Sequence, residues 1–216
     1  MIPSVYPLLG CEHRSMINKN TNSWAWYKAW IDALLYPNED TWSILLSEGN
    51  ISLRRAYIWI TITSILFPLA SSITTWTKFP LSITSGNIWI YIKNILLIGV
   101  LEPAGYIAIT GAIHILAKLF FDKGNYQDFF VLFATSHAPI SLLYTFTALV
   151  RWFFAFKIGI YAGALLNIYF IAVVSTKIIK YNYHANWIGA FLINVVVITL
   201  GYLLAFGIYF ATGFGI

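Results

Sequence analysis

Long uncharged stretches separated by short polar breaks set the pattern of this chain, and the stretches have the length of a bilayer. A helix crossing the hydrocarbon core needs about 20 apolar residues. Residues 56–76 (AYIWITITSILFPLASSITTW) carry no charge, follow the pair Arg54-Arg55, and contain Pro68, which predicts a kink. The second stretch, residues 88–121, would be about 50 Å long as one straight helix, against about 30 Å of hydrocarbon. It is therefore expected to be broken, steeply tilted or prolonged outside the lipid. Lys93-Asn94 and Glu102-Pro103 are the two available breaks. One placing puts the span near residues 95–119, with 88–94 as an interfacial lead-in. The other opens it at Pro103, an acceptable first helical residue, and leaves about 28 Å of helix to Phe121. A polar turn from Asp122 to Asp128 leads to the third span, residues 129–150. The fourth, residues 158–179, follows a short basic and aromatic loop. The fifth, residues 187–212, follows the polar break from Lys180 to Asn186. The expected fold is all-α, a polytopic membrane bundle of about five transmembrane helices.

Residues 1–55 form a different segment, cytoplasmic or interfacial, ahead of the five-span domain of residues 56–216. Within it residues 23–36 (SWAWYKAWIDALLY) predict a short amphipathic helix, capped by Asn22 or Ser23 and stopped by Pro37. Trp24, Tyr27, Ile31, Leu34 and Leu35 share one face, and Lys28 and Asp32 lie an i,i+4 step apart on another. A helix too short to span and this rich in tryptophan belongs in the headgroup region, with Trp24, Trp26 and Trp30 as its interface residues. The bland reading is that it packs on the inner ends of the spans, and the two are compatible. A second short helix is expected over residues 40–47, ended by Gly49.

Composition agrees with a membrane class. Of 216 residues, 59% are hydrophobic and 10% charged, and the mean hydropathy is +0.74. A soluble domain carries about a quarter charged residues. So few charges could not cover a soluble globule, which excludes an ordinary soluble enzyme and a disordered chain. The single cysteine, Cys11, excludes an internal disulfide. Leu8-Leu-Gly-Cys11 has the look of a bacterial lipidation box, but Pro3 and Pro7 crowd its short lead, and a free or buried cysteine is the better reading.

The basic residues give an orientation. With the N-terminus inside, inner segments hold Arg14, Lys19, Lys28, Arg54, Arg55, Lys118, Lys123, Lys177 and Lys180, and outer ones hold Lys78, Lys93, Arg151 and Lys157, which accounts for all 13. Excess Lys and Arg mark the cytoplasmic side. The expectation is a cytoplasmic N-terminus and an outer C-terminus, in a prokaryotic plasma membrane. Trp59, Trp187, Tyr181 and Tyr183 fall at the inner belt, and Trp76, Trp89 and Trp152 at the outer one. The net charge of +5 is spread over these topology-setting residues. It suits an anionic leaflet and not a nucleic acid.

Several short motifs occur in a telling order. Leu34-Leu-Tyr-Pro37 is followed by Trp42, the loop after the second span reads AKLFFDKGNYQDFF over residues 117–130, the third span carries Ser136-His-Ala-Pro139, and Ile160-Tyr161 opens the fourth. Over roughly Trp30 to Phe210 the chain resembles the prokaryotic branch of the Yip domain family. These are five-span membrane proteins whose eukaryotic members act in vesicle traffic and contact Rab GTPases. The aspartate-leucine-tyrosine-glycine-proline motif of the eukaryotic members is represented at most by Asp32-Ala-Leu-Leu-Tyr-Pro37. The resemblance implies a non-enzymatic membrane protein with membrane-protein partners.

Ionisable residues inside spans are functional candidates by default. Glu102, His114 and His137 qualify. Glu102 and His114 lie about 18 Å apart along one helix axis and cannot touch. His114 and His137 fall at similar depth and could face each other. Two histidines without a third ligand make a poor zinc site. The readings left are a proton relay or, more simply, interhelical hydrogen bonds to Ser or Thr hydroxyls. Ser136 and His137 are sequence neighbours pointing about 100° apart, which makes no nucleophile and base pair. With no phosphate-binding loop, HExxH, CxxC or dinucleotide fingerprint present, no cofactor and no catalytic residue are assigned. A bare carboxylate at Glu102 is costly, so it is expected to pair with Arg151 or to be protonated and bonded to backbone; a span opening at Pro103 would instead leave it at the surface as a helix cap.

Small residues recur at packing intervals. Ala104, Ala108 and Ala112, joined by Gly105 and Gly111, line the second span, and Ala134 and Ala138 the third; both sets are expected to pack within the bundle. Gly159 and Gly163 form a GxxxG in the fourth, available to the bundle or to another subunit. The leading function is a membrane scaffold or assembly subunit, whose partners are the bilayer and other membrane subunits. The alternative is a small transporter or ion-conducting subunit using Glu102, His114 and His137. A transporter should hold a polar mid-membrane cavity; a scaffold should have a dry bundle and an apolar outer face.

Overall fold

A computed structural model describes residues 26–47, 51–78, 85–153 and 156–212. Among them every regular element is a helix: α1 (Trp26–Leu35), α2 (Glu39–Ser47), α3 (Leu53–Lys78), α4 (Ser85–Phe121), α5 (Tyr126–Phe153), α6 (Phe156–Tyr169), a π-helical segment (Phe170–Ser175), α7 (Thr176–Tyr183) and α8 (Trp187–Thr212). Trp24 of the expected interface set lies outside the described residues, as do the side chains of Trp26, Glu102 and Arg151.

Polar residues at the breaks start the helices. Asn38 Oδ1 accepts from Thr41 N at 2.9 Å, Ser52 Oγ from Arg55 N at 3.3 Å, Asn125 Oδ1 from Gln127 N at 3.0 Å and Asn186 Oδ1 from Gly189 N at 2.7 Å. Each satisfies an N-terminal amide that has no helical acceptor. Two helices end on left-handed residues, Asp122 (φ 52°) after α4 and His184 (φ 51°) after α7.

Three described stretches are long and apolar enough to cross a membrane: Pro103–Phe121, Tyr126–Thr147 and Ile158–Tyr183. A shorter apolar stretch is Trp187–Gly201. The chain thus has the make-up of an integral membrane protein. Helix α4 runs without interruption through Lys93, Asn94 and Pro103. The sequence allowed a break at either place, and the backbone has none. At about 55 Å the helix exceeds the hydrocarbon thickness, so tilt or extension beyond the lipid accommodates it. Pro103 stands inside the helix, not at its start.

Helix α5 is the axis of the bundle. All eight residues from Phe129 to Ser136 are buried, which for a helix means neighbours on every side. Its aromatic residues meet those of several neighbours: Tyr57 of α3 on Phe130 at 4.6 Å, Phe170 of the π segment on Phe133 at 5.1 Å, and Tyr183 of α7 on Phe129 at 5.6 Å. The outer faces of α3, α6 and α8 expose Ile62, Leu165, Leu192 and Leu204, among others, as lipid contact requires.

Helices α1 and α2 pack across one end of the bundle. Trp30 sits edge-on to Trp59 of α3 at 5.4 Å, Tyr169 Oη donates to the carbonyl of Leu34 at 2.7 Å, and Trp42 meets Tyr181 at 5.5 Å. Trp30 is only 9% exposed and is not an outward anchor. The outward face of α1 carries Tyr27, Ile31 and Leu35 instead, each about half exposed.

Candidate functional site

Three polar groupings sit within the apolar bundle, each built from side chains of more than one helix. The first centres on His137 of α5. Tyr106 of α4 places its hydroxyl 2.7 Å from Nδ1 and also in contact with Nε2. Ser141, one turn on, lies 2.9 Å from Nδ1. The ring is boxed by Tyr106 at 4.4 Å, Phe170 edge-on at 4.9 Å and Phe133 parallel at 6.2 Å. Ser136 turns elsewhere, and its buried hydroxyl has no partner among the described residues.

The second grouping lies toward the α1 and α2 end. His114 Nδ1 is 2.7 Å from the hydroxyl of Tyr183, and the His114 ring meets Tyr126 at 5.3 Å. Tyr126 Oη is 3.3 Å from Thr110 Oγ1, whose hydroxyl also donates to the Tyr106 carbonyl at 2.7 Å. The turn after α4 is pinned here too: Asn182 Nδ2 donates to the carbonyl of Asn125 at 3.0 Å, and Gly124, at φ +94°, lies flat against the Tyr183 ring.

The third grouping accounts for the π segment. A π turn leaves carbonyls without their usual i+4 donor. The carbonyl of Ile171 is taken up by Thr176 Oγ1 at 2.9 Å and by Asn194 Nδ2 of α8 at 2.7 Å. Ser175 Oγ completes the set by donating to Asn194 Oδ1 at 3.0 Å. Asn194, Ser175 and Thr176 are all fully buried, so an open backbone carbonyl and a buried amide satisfy each other where water is excluded.

His114 and His137 therefore do not pair with one another. Each takes a tyrosine hydroxyl from a neighbouring helix, where an interhelical serine or threonine was expected; the serine that His137 does meet, Ser141, is on its own helix. Tyr183 is fully buried and does not belong to the inner aromatic belt, because its phenol is committed to His114. No group of three or more His, Cys, Asp or Glu that could hold a metal occurs among the described residues.

The small residues divide in an unexpected way. Gly159 and Gly163 are buried. A Cβ on Gly163 would meet the Tyr144 ring at 3.3 Å, and its carbonyl accepts from Tyr144 Oη at 2.8 Å. Gly163 thus serves contact with α5 inside the bundle. On α4, by contrast, Ala104 and Ala108 are exposed, and nothing lies within 4 Å of a Cβ built on Gly105 or Gly111. Ala112 is half-buried against the core. Ala134 and Ala138 are fully buried on α5.

Tyr106, Tyr183 and Asn194 escaped the sequence reading. An asparagine in an otherwise uncharged span was the one visible signal; the tyrosines read as ordinary aromatic residues. Comparison with protein-family models, with curated proteins and with solved structures returned no match.

Proposed function

We propose that the protein is a five-span, Yip-like integral membrane protein that works without catalysis, as a scaffold or assembly subunit. Its N-terminus is cytoplasmic, its C-terminus is outside, and α1 lies in the headgroup layer of a prokaryotic plasma membrane with its Tyr27, Ile31 and Leu35 face toward lipid.

The observation that carries this reading is the open stripe on α4. Ala104 and Ala108 are exposed, and half-buried Gly105 and Gly111 have open space where a Cβ would stand. In lipid, small residues let a second helix approach closely and gain dispersion contacts and weak hydrogen bonds. Lipid tails fill such a groove less well than a matching helix. The histidines are used in the same direction: His114 and His137 each hold a tyrosine hydroxyl of a neighbouring helix, a contact that ties helices together.

The test is native mass measurement of the protein extracted from its own membrane, alongside an Ala108→Leu variant. The expected result is a complex with a second subunit, or a second copy, that Ala108→Leu disperses while the monomer keeps its melting temperature. A wild-type chain that is monomeric in mild detergent and in native membrane nanodiscs would overturn the proposal.

A further inference from the structure

Pro37 follows the first helix and Asn38 caps the second, and the corner between them lies against Lys177 and Lys180 of α7. A half-open cavity of about 190 Å³ lies in that corner, lined by Pro37, Asn38, Glu39, Trp42, Lys177 and Lys180. It is several times the roughly 30 Å³ that one water occupies in the liquid. Trp42 is one of the residues of its wall. That residue is 1% exposed, yet its Nε1–H has no hydrogen-bond partner among the described residues. An indole nitrogen can only donate, and a buried donor left unpaired is destabilising until an acceptor reaches it.

The charges around this donor point the same way. Lys180 Nζ stands 3.9 Å from a Glu39 carboxylate oxygen, with side chains 49% and 69% exposed, a loose pair that leaves Lys180 donors to spare. Lys177 has no ion pair among the described residues. Two ammonium groups therefore face one carboxylate, and the cavity carries one net positive charge with donors in excess. Leu35 and Tyr36, each 61% exposed, lead up to the corner from the apolar face of α1. The site thus combines donors for an anion with an adjoining apolar track.

We propose that this cavity binds the phosphate of a phospholipid headgroup. Trp42 Nε1–H and the Lys177 ammonium donate to phosphate oxygens, Lys180 is shared between the phosphate and Glu39, and an acyl chain follows Leu35 and Tyr36 into the bilayer. A charged ammonium to phosphate contact beside a desolvated indole N–H is a strong pairing. The singly charged phosphodiester matches the single net charge of the lining. The inference rests on α7 ending at the membrane surface, and not on the assembly role: a monomer would bind the lipid equally well.

The experiment titrates the delipidated full chain in detergent with phosphatidylglycerol and counts bound molecules by native mass spectrometry. Diacylglycerol with the same tails and inorganic phosphate are the two control ligands. The expected result is one phosphatidylglycerol per chain, no retention of diacylglycerol, and no displacement by millimolar phosphate. Lys177→Gln should weaken binding by about tenfold, the size of one charge-assisted hydrogen bond. Trp42→Phe, which keeps the aromatic contact with Tyr181, should weaken it by a similar factor. Lys123→Gln, on the exposed turn after α4, should change nothing. If Trp42→Phe lowers the melting temperature, the Lys177 variant alone decides. Unchanged binding by Lys177→Gln, or equal retention of diacylglycerol, would overturn the site. Displacement by inorganic phosphate would overturn the lipid as its ligand and assign the cavity to free phosphate.

Discussion

Gly124 should be among the least replaceable residues of the chain. Its φ of +94° lies where an L side chain is strained, at about 1–2 kcal/mol per residue. An alanine Cβ there would run into the Tyr183 ring, 2.6 Å from Cε1, and would stand 2.8 Å from the carbonyl oxygen of Asn182. Neither neighbour can yield. Tyr183 is fully buried and bonded to His114, and the carbonyl belongs to the helical backbone of α7. Overpacking of this kind costs about 1–3 kcal/mol. Together the two effects predict a loss of about 2–5 kcal/mol for Gly124→Ala, or roughly 5–15 °C in melting temperature for a chain of this size. Intrinsic-fluorescence melting in nanodiscs would read it. The control is Gly201→Ala, where the new Cβ meets Ile109 at an ordinary 3.8 Å; relief of glycine's entropy should add about 0.5–1 kcal/mol. A Gly124→Ala protein melting within about 2 °C of wild type would refute the claim that this turn is wedged against α7.

Two further predictions follow from the bundle and its orientation. Asn194→Leu should cost about 1–3 kcal/mol, because it strands the buried Ser175 hydroxyl and leaves the Ile171 carbonyl with Thr176 Oγ1 alone; urea or thermal melts should show it, and a neutral outcome would mean that the π segment does not depend on α8. In a Cys11→Ser background, Ser47→Cys should react with an impermeant thiol reagent only after permeabilisation and Gly215→Cys from outside, and the opposite pattern would reverse the topology.

The helices were more legible in the sequence than the contacts between them. The polar breaks marked the helix boundaries, and α8 covers the same residues 187–212 that hydropathy marked, but the capping residues Asn38, Asn125 and Asn186 were not picked out within those breaks. The continuity of α4 was not legible. Lys93-Asn94 and Glu102-Pro103 are breaking signals, and only tertiary support decides whether a helix runs through them. The π segment was hidden for a different reason. An almost uniformly apolar run has no periodicity whose phase could be seen to slip. His114 and His137 stood out because an imidazole in such a run is conspicuous. Tyr106 and Tyr183 did not, because a phenol ring is read as apolar until a neighbouring helix presents something for its hydroxyl to hold. The division of small residues also needed the structure: spacing identifies a groove, but only the position of α5 explains why Gly163 is filled and Gly111 open.

The six-residue π segment acts as a phase shifter between the two halves of one helix. Each added residue advances the following side chains by about 100° around the axis. Upstream, Gly159, Gly163 and Phe170 face the core; downstream the inward positions are Ile178, Ile179 and Tyr183. Carried on at the usual pitch from Phe170 and Val174, the inward positions would fall at Lys177 and Tyr181. The wider turn thus swings a lysine out of the apolar interior to the edge of the corner cavity, and swings Tyr183 in toward His114. Removing one residue between Phe170 and Ser175 would restore a regular helix and exchange the surfaces of everything from Thr176 to Tyr183. The register of the lower half of this helix, and with it both the histidine contact and the basic lining of the cavity, is set by a single surplus residue held in place by Asn194.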